Sequence, residues 1–260
     1  MIKKIITLLV LIIIFCTACT KKTERQVNTF DEIIKRGYIN VGVKTDSFPF
    51  GYKDSKGNYA GFDVDLAKII AGEIFKDKSR VKFVPVTSSD RMMKLFSEDI
   101  DFIIATMSIT TAREQILDFS NSYHNAGQSI LVRSGSKIKG LRDLNNKKVI
   151  IVFGSTSERS LRSAVPSALI VGYKNYKDAY KALKAGKADA IVSDDSILLG
   201  FSLKDSGVKL LPKRYTKEPY AIAFRKGAES KELIKIINEI LDNQRHKGVL
   251  KNLRKQYGIK

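Results

Sequence analysis

The sequence predicts an α/β fold with mainly parallel sheets. Short apolar, β-branched runs alternate with helical patterns from residue 39 onward, and the junctions between them carry helix-start chemistry. Strands are predicted at Ile39–Val43, Val81–Val86, Ile100–Ala105, Gln128–Val132, Lys148–Val152, Ala168–Val171, Ala188–Val192 and Val208–Leu211, each a run of strand-favouring side chains. Helical patterns fall between them at Asp63–Phe75, Ser89–Phe96, Ser157–Ala164, Lys177–Ala185 and Ser196–Lys204, and two more follow at Ser230–Gln244 and Gly248–Tyr257. In GFDVDLAKII, Gly61 permits a tight turn and Asp63 and Asp65 suit the positive end of a helix. Leu66, Ile69 and Ile70 begin its apolar face. Helix capping therefore explains the two aspartates more simply than a metal site or an acid–base pair.

The N-terminus reads as an export signal spanning residues 1–18. Lys3 and Lys4 precede Ile5–Phe15, a run apolar except for Thr7; it is too short to span a bilayer and matches the apolar core of a signal peptide. Small residues before Cys19 suit cleavage and lipidation at that cysteine, although Cys16 stands where lipoprotein motifs usually carry leucine. An ordinary secretory signal and an uncleaved anchor are the alternatives. Residues 19–29 then form a lipidated cysteine and a polar tether, with basic residues able to lie near anionic headgroups.

Both cysteines lie within the first nineteen residues, so the globular part has no disulfide, thiol nucleophile or cysteine metal site. His124 and His246, the only histidines, are far apart in sequence, which gives metal binding or general-base catalysis little support. No metal, cofactor or catalytic residue is expected. The formal charge is +19, or +17 without Lys3 and Lys4. The basic residues are scattered as singles and pairs, without a dense block or interleaved aromatics. This excludes a nucleic-acid partner and fits solubility, attraction to an anionic envelope and long-range steering of anionic solutes.

The most informative stretch is ATMSITTAREQILDFSNSY. A strand end leads into hydroxyl residues Thr106, Ser108, Thr110 and Thr111, then Arg113 near a helix start. Guanidinium can grip both oxygens of a small carboxylate, and free helix-start amides add partial positive charge. Taken alone, Arg113 also reads as a surface arginine. In VFGSTSE, Gly154, Ser155 and Thr156 offer amides for a carboxylate, or form a plain cap with Glu158. The segment lacks the lysine of a phosphate-binding loop. Asp46 ends a strand, and Phe48, Phe50 and Tyr52 either wall a pocket or join the core.

Four collinear segments, GYINVGVKTDSFPFGYKDSKGNYAGFDVDLAKIIAGEI, SITTAREQILDFSNSY, ADAIVSDDSILLGF and EPYAIAFRKG, resemble a known family. It is the extracytoplasmic solute-binding proteins of polar amino acid ABC importers, family 3, in the glutamine/glutamate/aspartate-binding branch. The resemblance implies a two-lobed, type II periplasmic-binding-protein-like fold with a ligand cleft between lobes. Lobe 1 would be residues 30–124 plus 219–260, and lobe 2 residues 125–218. It implies that Arg113, Thr106 and Ser108 hold the amino acid's carboxylate, and that Asp194 holds its ammonium while Asp195 caps the next helix. Arg91 matches a position where binders of acidic amino acids oppose the side-chain carboxylate, so glutamate or aspartate is the expected ligand. A monomer that delivers this ligand to ABC permease subunits is expected, held at the membrane through its lipid. A dehydratase-like enzyme on the same fold is the alternative.

Overall fold

The chain described by the computed structural model, residues 28–259, opens on a helix cap. Asn28 Oδ1 accepts the Phe30 amide at 3.0 Å and starts helix α1 (Thr29–Arg36), which Gly37 ends at φ 80°. The tether expected to reach residue 29 therefore stops short of it; the signal peptide and Cys19 lie outside the described residues. Strand β1 (Ile39–Val43) follows, then the short strands β2 (Asp46–Ser47), β3 (Gly51–Lys53) and β4 (Tyr59–Ala60). Next come α2 (Phe62–Phe75), β5 (Val81–Pro85), α3 (Arg91–Phe96), β6 (Phe102–Ile103), α4 (Thr111–Glu114), β7 (Leu117–Phe119), β8 (His124–Ala126) and β9 (Gln128–Arg133). A 3-10 turn, Leu141–Leu144, leads to β10 (Lys148–Val152), α5 (Ser157–Ala164), β11 (Leu169–Tyr173), α6 (Tyr176–Lys184), β12 (Ala190–Asp194), α7 (Asp195–Lys204) and β13 (Val208–Leu210). The chain ends with β14 (Glu218–Tyr220), β15 (Ala223–Arg225), α8 (Ala228–His246) and α9 (Val249–Gln256).

Two five-stranded sheets result, ordered β5-β1-β6-β15-β7 and β11-β10-β12-β9-β13. The expectation of mainly parallel sheets needs correction. Each sheet combines two parallel pairings (β1 with β5 and β6; β10 with β11 and β12) with two antiparallel ones. The reason is topological. Strands β9 and β15 are the strands by which the chain enters each sheet from the other, and each runs against both of its neighbours. Helical crossovers enforce parallel pairing only within each sheet.

Alternation along β10 shows how the second sheet is filled. Val149 and Ile151 join one buried cluster with Leu144 and Leu161, whereas Ile150 and Val152 join another with Tyr176 and Leu183. Both faces are covered, which is why this strand is apolar at successive positions. Around the first sheet, Val41, Phe62, Leu66, Phe102 and Phe224 form a larger core with α8 and α9. The two crossings pair as an antiparallel ribbon, β8 with β14, in register from Glu218 with Ala126 to Tyr220 with His124. The C-terminal ends of β6, β10 and β12 carry the polar residues described next.

Candidate functional site

Thr106 follows β6 in a left-handed conformation, φ 48°, unusual for a β-branched residue. Asp63 holds it there. Its Oδ2 accepts the Thr106 amide at 3.0 Å, and Oδ1 accepts the Tyr123 hydroxyl at 3.0 Å. Asp63 is thus a brace for this loop, correcting the capping role expected from sequence. Asp65 also bonds elsewhere than to the backbone of its helix start, to Lys68 and the Tyr257 hydroxyl. Burial raises the Asp63 carboxyl to about 6, against the lowering effect of the Thr106 amide and Tyr123 hydroxyl.

Two residues on, Ser108 bridges Tyr220 and presents its carbonyl to Arg113 Nη1 at 2.7 Å. Arg113 is the third residue of α4; Thr110 caps that helix by accepting the Arg113 amide at 3.2 Å. Arg113 Nη2 reaches across to the Gly154 carbonyl, at 2.9 Å. Arg91, at the start of α3, is 2% exposed and converges on the same place. Its Nη1 donates to Ala105 O at 2.6 Å and Thr106 O at 3.3 Å, and its Nη2 to Gly154 O at 3.3 Å. Burial, then repulsion from Arg113, brings Arg91 down to about 9, still charged at neutral pH.

From the second sheet, Asp194 closes β12 and is 5% exposed. Tyr220 donates its hydroxyl to Oδ2 at 2.6 Å, and Gln128 Nε2 bonds Oδ1 while also reaching Thr156 Oγ1 at 3.1 Å. Burial and the nearby Glu218 raise Asp194 to about 6, opposed by Tyr220, Lys44 and Arg113. Asp195 does not cap its helix as expected. Its Oδ1 accepts the Gly127 amide at 3.0 Å and its Oδ2 pairs with Arg214, because the carboxylate turns towards the incoming strand β9.

Lys44, a residue the sequence reading passed over, completes the cluster. It immediately follows β1, is 1% exposed, and places Nζ 4.6 Å from the centre of the Tyr176 ring. Burial and Arg91 bring its ammonium down to about 7, against the pull of Asp46, Asp194 and Asp63. Among the described residues, the buried side-chain atoms without a hydrogen-bond partner are Lys44 Nζ, Arg91 Nε, Thr106 Oγ1, Gln128 Oε1 and Ser157 Oγ. All five belong to this cluster or follow it directly in sequence. Buried polar atoms are otherwise almost always paired, so their concentration here marks a place built to receive a polar molecule.

The other residues singled out from sequence are placed as follows. Asp46 Oδ2 accepts the Tyr176 amide at 2.8 Å, tying β2 to the start of α6. Phe48 lies against Gly200 of α7, where a Cβ would come within 2.0 Å of the Phe48 carbonyl. Together with Tyr52, Tyr180, Phe201 and Lys204, these residues line an outer groove of about 440 Å³ beside the arginine cluster. Phe50 is core, packed on Phe62 and Tyr220. Ser155 bonds Val152 O through its hydroxyl at 2.6 Å and also accepts the Ser157 amide at 3.3 Å. Gly154, at φ 76°, approaches Ser88 so closely that a Cβ would lie 2.2 Å from its carbonyl. The two sheets' loops are therefore pressed together over Arg91 and Arg113.

Residues 39–260 match the bacterial extracellular solute-binding proteins, family 3. The chain belongs to this family. It is 39% identical over 254 residues to the ABC transporter glutamine-binding protein GlnH of Bacillus subtilis (strain 168), covering 94% of this chain and 92% of that one. It is also 39% identical over 211 residues to a glutamine-binding protein of Geobacillus stearothermophilus, covering 80% of each. A mutant of ArgBP from T. maritima superposes with a TM-score of 0.82 at 34% identity, covering 88% of this chain and 98% of that one. This family member has the two-lobed type II fold. It binds an amino acid outside the cytoplasm for ABC import, as a solute-binding protein and not an enzyme.

Proposed function

We propose that this solute-binding protein takes an acidic amino acid, glutamate or aspartate. The observation that carries this reading is the pair of buried cationic donors without a hydrogen-bond acceptor, Lys44 Nζ and Arg91 Nε. Arg91, Arg113 and Lys44 surround the cluster, while two of the nearby carboxylates are already engaged: Asp63 by Thr106 and Tyr123, Asp46 by Tyr176. Asp194, though it accepts from Tyr220 and Gln128, carries the charge that can meet an ammonium. An α-carboxylate would satisfy Arg113, with Thr106, Ser108 and the Ser155–Thr156 backbone beside it, and Lys44 Nζ and Arg91 Nε would still lack acceptors. A side-chain carboxylate supplies those acceptors with a charge opposite to theirs. Burying a charge without a partner is costly, so a neutral side chain fits less well.

Glutamine is the second reading, supported by the names of the relatives at 39% identity. Lys44, held down to about 7, also supports it, since a neutral amine gives a carboxylate no charge advantage over an amide. Competition calorimetry at pH 6.5 with glutamate, aspartate and glutamine decides the matter. An advantage of about 1–3 kcal/mol for an acid is expected; tighter glutamine binding selects the second reading.

We further propose lobe boundaries at the β8–β14 ribbon, with residues 30–124 and 219–260 in one lobe and 125–218 in the other. A monomer anchored through lipidated Cys19 completes the proposal. Cys19→Ser should release the protein from membranes or leave a larger precursor, read by fractionation and mass; unchanged fractionation and mass would remove the anchor.

A further inference from the structure

We propose that Lys44 is the specificity-determining residue of the site: its side-chain nitrogen receives the end of the ligand's side chain and sets the preference for carboxylate over amide. The inference rests on an amino acid occupying the cluster between the two sheets, and it deepens the acidic reading without depending on which ligand wins.

Lys44 immediately follows Val43, the last buried residue of β1. Strand β3 crosses directly over it: a Cβ on Gly51 would stand 2.6 Å from the Lys44 carbonyl and 3.2 Å from its amide nitrogen. With its main chain fixed there, the side chain extends to the face of Tyr176, which belongs to the other sheet's helix α6. Tyr176 itself is held by its hydroxyl, 2.8 Å from Ser193 Oγ. The lysine therefore spans the cleft floor with its nitrogen buried and without a hydrogen bond.

Chemistry narrows what such a nitrogen can serve. An ammonium has three donors and accepts nothing, so burying one unpaired opposes folding. The carboxylates that attract Lys44 are engaged elsewhere: Asp46 with the Tyr176 amide, Asp63 with Thr106 and Tyr123, and Asp194 with Gln128 and Tyr220. Arg91 has committed Nη1 and Nη2 to the carbonyls of Ala105, Thr106 and Gly154. Arg113 spends one N–H of each Nη on Ser108 and Gly154 and keeps the rest for the α-carboxylate. Lys44 is thus the cation in the cluster whose donors are all uncommitted. A ligand oxygen reaching it gains a charge-assisted bond, and a carboxylate gains more than an amide because its charge is opposite.

The test measures dissociation constants for glutamate and glutamine, by calorimetry at pH 6.5, on the wild type and on Lys44→Met. Methionine keeps a flexible stem of similar length and removes the donors and the charge. Glutamate affinity should fall about thirtyfold or more while glutamine changes less than about fivefold, and apo thermal stability should hold or rise because an unpaired buried ammonium is gone. An unchanged ratio of the two constants overturns the proposal. So does equal loss of both ligands with a lowered melting temperature, which would make Lys44 a packing residue. A wild type that prefers glutamine would defeat the acidic reading alone, since the variant's ratio still reports on Lys44.

Discussion

Arg113 was legible in sequence because its neighbours announce it: a strand end, a run of hydroxyls and a helix start surround one planar cation. Arg113→Ala should leave the melting temperature of the apo protein within a few degrees yet weaken the ligand by about 2–5 kcal/mol, read by calorimetry. Arg113→Lys should recover only part, because an ammonium cannot make the two-pronged contact. Lys44 was illegible for the opposite reason. It is one lysine among many in a strongly basic chain, and only the crossing of β3 and the ring of Tyr176 remove it from solvent. An apolar strand leading straight into a lysine, beside Asp46, was the signal available. The role of Asp63 was hidden too, since its partner Thr106 lies 43 residues away.

Lys44 also carries a pH prediction. The groups facing it are Arg91 on α3, Asp63 on α2, Asp46 on β2, and Asp194 and Tyr176 from the second sheet. With the ammonium lowered to about 7, the free protein loses that proton as pH rises from 6.5 to 8.5. An anionic ligand binds the protonated form, so glutamate affinity should fall about tenfold or more across that window. Lys44→Met should show a flat profile; a wild type equally flat would mean that Lys44 does not titrate there.

At the scale of elements, the long segments were readable and the short ones were not. Ser157–Ala164, Ile39–Val43 and Lys148–Val152 fall where periodicity and β-branching put them. Strands β2, β3, β4, β7, β8, β14 and β15 have three residues or fewer, too few to display a period of two; β6 and β13 are as short but sit inside longer apolar runs that showed them. The β8–β14 ribbon is the most consequential of these, because it carries both crossings. His124 on β8 is buried, with Nε2 2.8 Å from Ser196 Oγ and its ring tilted against Phe50 and Tyr220. Burial lowers it to about 4. The native state therefore keeps this ring neutral while the unfolded chain protonates it near 6.5, so stability is complete above that value and is lost as pH falls towards 4. The loss is at most about 3 kcal/mol. Asp63 and Asp194 act in the opposite direction, being raised to about 6. The informative quantity is the difference between wild type and His124→Gln: the wild type's melting temperature should drop more steeply between pH 7 and pH 5.

At the scale of the whole molecule, three contacts press the two sheets' loops together. Gly154 meets Ser88 and Gly200 meets Phe48, each with no room for a Cβ, and Asp46 accepts the Tyr176 amide. The sequence suggested a two-lobed chain through its resemblance and offered Asp46 as a ligand residue; an acid at a strand end gave no hint of the helix start opposite it. In the structure Asp46 supplies negative charge to the N-terminus of α6, whose own cap, Asn175, accepts the Asp178 amide. A contact of this kind stabilises a closed arrangement without choosing among ligands. Asp46→Ala should therefore lose about 1 kcal/mol of closing free energy, the worth of a helix cap. Every ligand should weaken by about the same fivefold, with their rank order intact, and small-angle scattering should show a larger radius of gyration at subsaturating ligand. A change in rank order on Asp46→Ala would instead place this carboxylate against the ligand's side chain. The contrast with Lys44→Met, which should alter the ratio of glutamate to glutamine and leave closure alone, separates a residue that shuts the cleft from one that reads what lies inside it.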